Sequence, residues 1–217
     1  MEPVTTVIVA GVAIAVTAAL GYAVKKYREI QQKNKEIEAL RSSLNAYAET
    51  YAFEAADEEL ARACRKRINE LFRNGINEEF SKYQTVEEKK EFARRIVKEL
   101  ADCMRVKVEN VVIEDLGPYT RGLAVPDCNP PAIFLNEVLL VADPVGLVKA
   151  MCHELKHCVQ YQSLTDNVWG YSPQRVAQFL YSWEKYVPCD SKESYEAYSK
   201  QIIEIDANKY IDRIFNV

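Results

Sequence analysis

The sequence predicts an α+β fold, predominantly helical, with a small antiparallel sheet and an N-terminal transmembrane helix ahead of it. Three features of the 217 residues lead there. Residues 4–24 carry no charged side chain, apolar residues recur at helical spacing through 58–104 and again from 144 to 215, and three short β-type runs fill the interval between. The net charge of −4, with acids and bases interspersed, gives no basic surface for nucleic acid, so no nucleic-acid partner is expected. Six cysteines (Cys64, Cys103, Cys128, Cys152, Cys158 and Cys189) form no C-x-x-C pair and have irregular spacing, which reads as reduced thiols in a reducing compartment.

Residues 4–24 supply about the 20 apolar positions a helix needs to cross a bilayer core. A cleaved signal peptide would carry a basic stretch before a shorter apolar run, whereas Glu2 stands there; its removal would leave a mature N-terminus near Tyr22 and a domain working outside the cell. Lys25, Lys26 and Arg28 lie on the C-terminal flank, so the positive-inside rule predicts a single-pass membrane protein with the rest of the chain in the cytoplasm. Gly11 and Gly21 are too far apart for a G-x-x-x-G pairing motif, and the oligomeric state stays open.

Residues 1–28 are thus an anchor with a basic flank, and residues 29–104 a helical stalk and scaffold. In the stalk, Ile30, Ile37, Leu44 and Tyr51 recur at sevens, with Asn34 on the seam, giving either a weak coiled coil or an amphipathic helix lying on its own domain. A helix is predicted over 58–72, with Leu60, Cys64 and Ile68 inward and Asn74-Gly75 ending it. Thr85 and Glu88 form a capping box opening a helix that runs to Met104.

The third region, 105–217, begins with β-type runs at 106–114, 121–125 and 132–135, separated by Gly117-Pro118 and by Pro126 to Pro131. The last run, Ala132-Ile-Phe-Leu135, is expected either to offer a free edge along a cleft, where an extended peptide could add as a strand, or to be core sheet alone. Asp143 as N-cap and Pro144 at the first position start the next helix. Leu147, Val148, Met151, Leu155 and Val159 make it a buried helix, with a polar stripe of His153, His157 and Gln160.

That stripe holds the only two histidines of the chain, in His153-Glu154-Leu-Lys-His157. Four residues apart on a helix, both imidazoles reach one metal ion, and Glu154 lies about 100° round, able to act on metal-bound water without being a ligand. This is H-E-x-x-H, the zinc-peptidase signature. A catalytic zinc takes three protein ligands and one open position. With no third histidine, a downstream carboxylate must complete the set. Helix 172–186 is capped by Ser172, packs through Val176, Phe179, Leu180 and Trp183, and offers only Glu184 near its end. The helix at 201–215 offers Glu204, which shares a face with Asn208, and Asp206, which points nearly opposite to Glu204.

His153-Glu-Leu-Lys-His157 followed by Glu204-Ile-Asp-Ala207-Asn208 resembles the small gluzincin metallopeptidases, in which H-E-x-x-H is completed by E-x-x-A-[DN] on a following helix. The strand Ile133-Phe-Leu-Asn136, the Asp143-Pro144 helix start and Gln160 are similar to that group as well, and the resemblance covers roughly 106–215. It implies a zincin-like domain with Zn2+ held by His153, His157 and Glu204, Asp206 being the rival third ligand, and Asn208 in place of an Asp that orients a histidine. The chemistry implied is peptide-bond hydrolysis in a protein or peptide near the membrane, with Glu154 as general base. An oxyanion donor is also needed; Tyr198, just before the last helix, is the first candidate and Tyr195 the next. The competing expectation is a membrane-tethered scaffold whose metal site is structural or inactive. Glu154 separates the two, because a structural site has no use for a base beside an open position.

Overall fold

The computed structural model describes residues 26, 29, 31–33, 35, 52–128, 131–189 and 194–215. The apolar run at 4–24 lies outside the described residues, among which no helix is long and apolar enough to cross a membrane. The chain divides into two compact units, Met1–Glu49 and Thr50–Val217. In the first, the described residues are helical, and Lys26 meets Glu29 one turn on at 3.3 Å.

The second unit is mostly helical with one three-stranded sheet. Helix α1 (Ala55–Leu71) opens on a capping box between Glu54 and Asp57 and buries Leu60, Cys64 and Ile68 at i, i+4 spacing. Gly75, at φ 101°, takes a left-handed turn that a side chain would strain, and so reverses the chain into α2 (Ile76–Ser81). The capping box of Thr85 and Glu88 is present at the start of α3 (Val86–Cys103). Phe72, Phe80 and Phe92 join the three helices, with Phe80 and Phe92 edge to face at 4.9 Å.

The sheet departs from the expected all-antiparallel pairing. Strands β1 (Asn110–Glu114), β2 (Gly122–Val125) and β3 (Ala132–Asn136) lie in the order β1-β3-β2, with β1 parallel and β2 antiparallel to β3. The sheet is mixed because the chain between β1 and β2 crosses the end of β3 before turning back. Asn136 clamps that crossing: its buried amide donates to the carbonyls of Gly117 (2.7 Å) and Thr120 (2.8 Å). Of the two expectations for residues 132–135, the free edge is not there and core sheet is, since β3 is paired on both sides and largely buried. The edge nearest the histidines belongs to β2. The first strand is also shorter than expected: Val106 and Val108 are buried but precede the ladder.

After the short α4 (Leu139–Ala142), α5 (Pro144–Gln162) starts as the sequence predicts, with Asp143 accepting from Gly146 N–H and Pro144 in the first turn. Thirteen of its 19 residues are buried, because it touches β2 and β3, α3, and two later helices, α6 (Pro173–Glu184) and α8 (Ile202–Phe215). A five-residue helix, α7 (Tyr195–Ser199), leads into α8. In α6, Phe179 is buried as expected, but Leu180 is exposed; Arg175, Gln178 and Ser182 are buried as well, Arg175 meeting the Ala52 carbonyl and approaching Asp206.

Candidate metal centre

Helix α5 brings His153 and His157 onto one face, and α8 presents Glu204 to them from its first turn, where the helix dipole favours a carboxylate. The three form the group among the described residues that could hold a metal ion. The Nε2 atoms of His153 and His157 are 3.1 Å apart. Glu204 reaches His153 Nε2 through Oε2 and His157 Nε2 through Oε1, each at 3.3 Å. Ligand atoms held tetrahedrally at about 2.0–2.2 Å from one zinc stand roughly 3.3–3.6 Å from one another. With one ligand atom from each residue the three lie within 4.8 Å of one another, close enough to converge on a single metal ion. His153 keeps 17% of its side chain exposed and Glu204 1%, so the triangle opens to solvent on the His153 side.

The charges of the three groups are interlocked. Burial works against the Glu204 carboxylate, yet His157 and His153 outweigh it and hold it well below the usual carboxylate range. Burial likewise opposes a charge on His157, but Glu204, by charge and hydrogen bond, and then Glu154, push its pKa up to about 9. A cation placed among these donors would displace that proton and take over its role.

Glu154 stands beside the triangle and outside it. Its carboxyl is raised above its ordinary value by burial first, with His153 and His157 pulling it down. The backbone N–H of Ala124 in β2 donates to it. Gly122, on the same strand, leaves room for it: a Cβ there would sit 2.8 Å from Glu154 Cγ and Oε1. Asn136 N–H donates to Arg121 C=O at 3.0 Å, so by antiparallel alternation Leu123 and Val125 also face β3, while the main-chain groups of Gly122 and Ala124 point to the open edge.

Aromatic side chains form the opposite wall. The Tyr198 hydroxyl hydrogen-bonds Glu204, and burial and Glu204 together raise its pKa far above that of free phenol. Tyr186, which sequence reasoning missed, lies with its ring 6.3 Å from that of Tyr198, and burial, then Glu204 and Glu154, push it up to about 12. Trp183 continues the wall to His157 at 6.0 Å between centroids. Tyr195 is exposed and Glu184 lies outside the metal-holding group.

No protein-family model matches this chain, and neither does any curated protein or solved structure.

The remaining site residues divide cleanly. Asp206 is fully buried on the far face of α8, with Lys156 Nζ 3.0 Å and Gln160 Nε2 2.6 Å from its Oδ2, so Glu204 is the carboxylate that meets the histidines. Asn208 is exposed on α8. The histidine orienter is instead Gln160, whose Oε1 lies 2.9 Å from His157 Nδ1. Cys152 faces Cys64, with the sulfurs 3.8 Å apart, and Cys158 is a buried thiol pushed up to about 12 by its desolvation; neither joins the donor set. A lysine inside a helix this buried was the sequence signal for the polar cluster behind the site.

Proposed function

We propose that the protein is a membrane-anchored zinc metallopeptidase. The observation that carries this reading is one arrangement: three converging metal donors, a buried carboxylate next to them that is not a donor, and an open strand edge holding that carboxylate. A structural metal site needs only the first of these.

His153, His157 and Glu204 would hold the zinc ion, which would supply Lewis acidity and lower the pKa of water toward neutrality. Glu154, its pKa already raised by burial, takes a proton from water and returns it to the leaving amine. Gly122, through its N–H and C=O, and Ala124, through its C=O, offer main-chain groups to an extended peptide, which would lie antiparallel or parallel to β2 across the histidines. Tyr186 and Tyr198, kept protonated by their surroundings, are the candidate donors to a developing oxyanion, Tyr198 only once its hydroxyl leaves Glu204. The uncharged run at 4–24 and its basic flank support a cytoplasmic domain acting on proteins close to the membrane.

The test is cleavage of casein, an unstructured protein, by the zinc-loaded full chain. Hydrolysis that a chelator stops, that zinc restores and that Glu154→Gln lacks is the expected result. A folded, zinc-loaded chain that cleaves nothing, or a Glu154→Gln variant as active as the parent, would overturn the reading.

A further inference from the structure

Behind the donor triangle lies a second polar cluster that the hydrolytic mechanism does not use. Lys156, the fourth residue of the H-E-L-K-H segment, is fully buried. Its Nζ meets Asp57 Oδ1 at 2.9 Å, Asp206 Oδ2 at 3.0 Å and the Tyr171 hydroxyl at 2.6 Å. Arg175 approaches Asp206 from α6 at 3.8 Å, so two cations and two carboxylates from α1, α5, α6 and α8 close on one another. A lysine is almost never buried this far unless paired.

The cluster touches the metal centre through one residue. Gln160 Nε2 donates to Asp206 Oδ2 at 2.6 Å and to the Ile203 carbonyl at 2.9 Å. Both are acceptors only, so the amide has one orientation, with Oε1 toward His157. Oε1 can only accept, and at 2.9 Å it takes the proton on His157 Nδ1. The nitrogen left for a metal is Nε2, the atom that points at Glu204 and His153. The chain of contacts runs Lys156, Asp206, Gln160, His157, and each link fixes the next.

We propose that Asp206, held in place by Lys156, is a positioning residue for the metal centre: through Gln160 it locks the His157 ring so that Nε2 faces the ion. This rests on the metal-binding reading above. It also gives the two carboxylates of α8 distinct tasks, Glu204 binding and Asp206 aligning. Without Asp206 the amide is held by the Ile203 carbonyl alone, and the flipped orientation, with its NH2 toward His157 Nδ1, becomes easier to reach; that orientation favours the imidazole form that cannot present Nε2.

The experiment measures zinc affinity of the full chain by competition with a chromophoric chelator, alongside thermal unfolding without metal. Asp206→Leu removes the charged and closer of the two acceptors of Gln160 Nε2, and Gln160→Met removes the acceptor for His157; each is expected to weaken zinc about 10–100-fold, the usual cost of losing such a partner. The double variant should be no weaker than the worse single one, since both cut the same chain. Asp206→Asn keeps an acceptor oxygen while discarding the charge opposite Lys156, so it should lose stability like Asp206→Leu yet hold zinc within about threefold of the parent. Zinc affinity that tracks stability across the three Asp206 forms, or that is unmoved in Gln160→Met, overturns the inference and leaves the metal site standing. A folded parent that binds no zinc overturns the metal reading itself. Should Asp206→Leu fail to fold, Gln160→Met and Asp206→Asn still decide.

Discussion

Glu204 and Asp206 lie two residues apart on one helix, both are buried, and they face opposite clusters. On the Glu204 side, two imidazoles and a carboxylate converge, among the described residues that carboxylate has no lysine or arginine ion pair, and His153 stays in touch with solvent. On the Asp206 side, Lys156 and Arg175 match Asp57 and Asp206 in a cluster with almost no exposure. Burial and shifted titration mark both clusters alike. What separates them is the kind of countercharge: titratable imidazoles on the Glu204 side, which can exchange a proton for a metal ion, and permanently charged lysine and arginine on the other. Donors that can trade a proton for a cation could hold a metal ion, whereas the lysine and arginine of the other cluster already occupy its carboxylates.

The contrast is broken most severely at Glu154, which belongs to neither cluster. Glu154→Gln should lower kcat/KM for peptide cleavage by about 10²–10⁴-fold with zinc content unchanged, the range a general base contributes; single-turnover assays on the zinc-loaded chain would show it. On the neutral side, Lys156→Met strands Asp57 and Asp206 without their cation. Denaturant unfolding of that variant should show a loss of about 3–5 kcal/mol, as for other buried pairs broken on one side.

A smaller effect is expected at the strand edge. Gly122→Ala places a methyl group 2.8 Å from the Glu154 carboxylate, which must shift. Activity should fall about tenfold, in keeping with the sensitivity of reaction rates to small misplacements, while zinc affinity in the chelator assay stays that of the parent.

The smallest effect is in pH dependence without metal. His157 is raised from 6.5 to about 9, so its contribution is complete below pH 6.5 and lost as pH climbs through 9. Glu204 is lowered from 4.5, so its contribution is present above pH 4.5 and lost as pH falls through its folded value. The melting temperature of the chelated protein should therefore decline between pH 6.5 and 9, and Glu204→Gln should flatten that decline. The Lys156 cluster gives no such slope there, because burial is outweighed by Asp206, Tyr171 and Asp57, which raise the Lys156 pKa above that range.

The donor side was legible in the sequence because its signals are local. Asp143 and Pro144 announce α5, and His153 and His157 are the only histidines. Glu204 followed from the pattern Glu204-Ile-Asp-Ala207 more than from any periodicity. The neutral side was hidden, since its partners meet across long separations: Asp57 is 99 residues from Lys156, and a lysine on a helix ordinarily reads as solvent-facing. Strand order was hidden for a similar reason. Three short runs with turns between them suit all-antiparallel pairing, and only the Asn136 clamp on Gly117 and Thr120 shows that the chain crosses β3 instead.

The central claim is that Glu204, and not its buried neighbour, completes a metal site beside a free base. Metal content by mass spectrometry of the full chain, the parent set against Glu204→Ala, Asp206→Asn and Glu154→Gln, tests it most directly. About one zinc per chain in the parent, in Asp206→Asn and in Glu154→Gln, with none in Glu204→Ala, is the result predicted. A folded parent without zinc after loading, or zinc kept in Glu204→Ala and lost in Asp206→Asn, would contradict it.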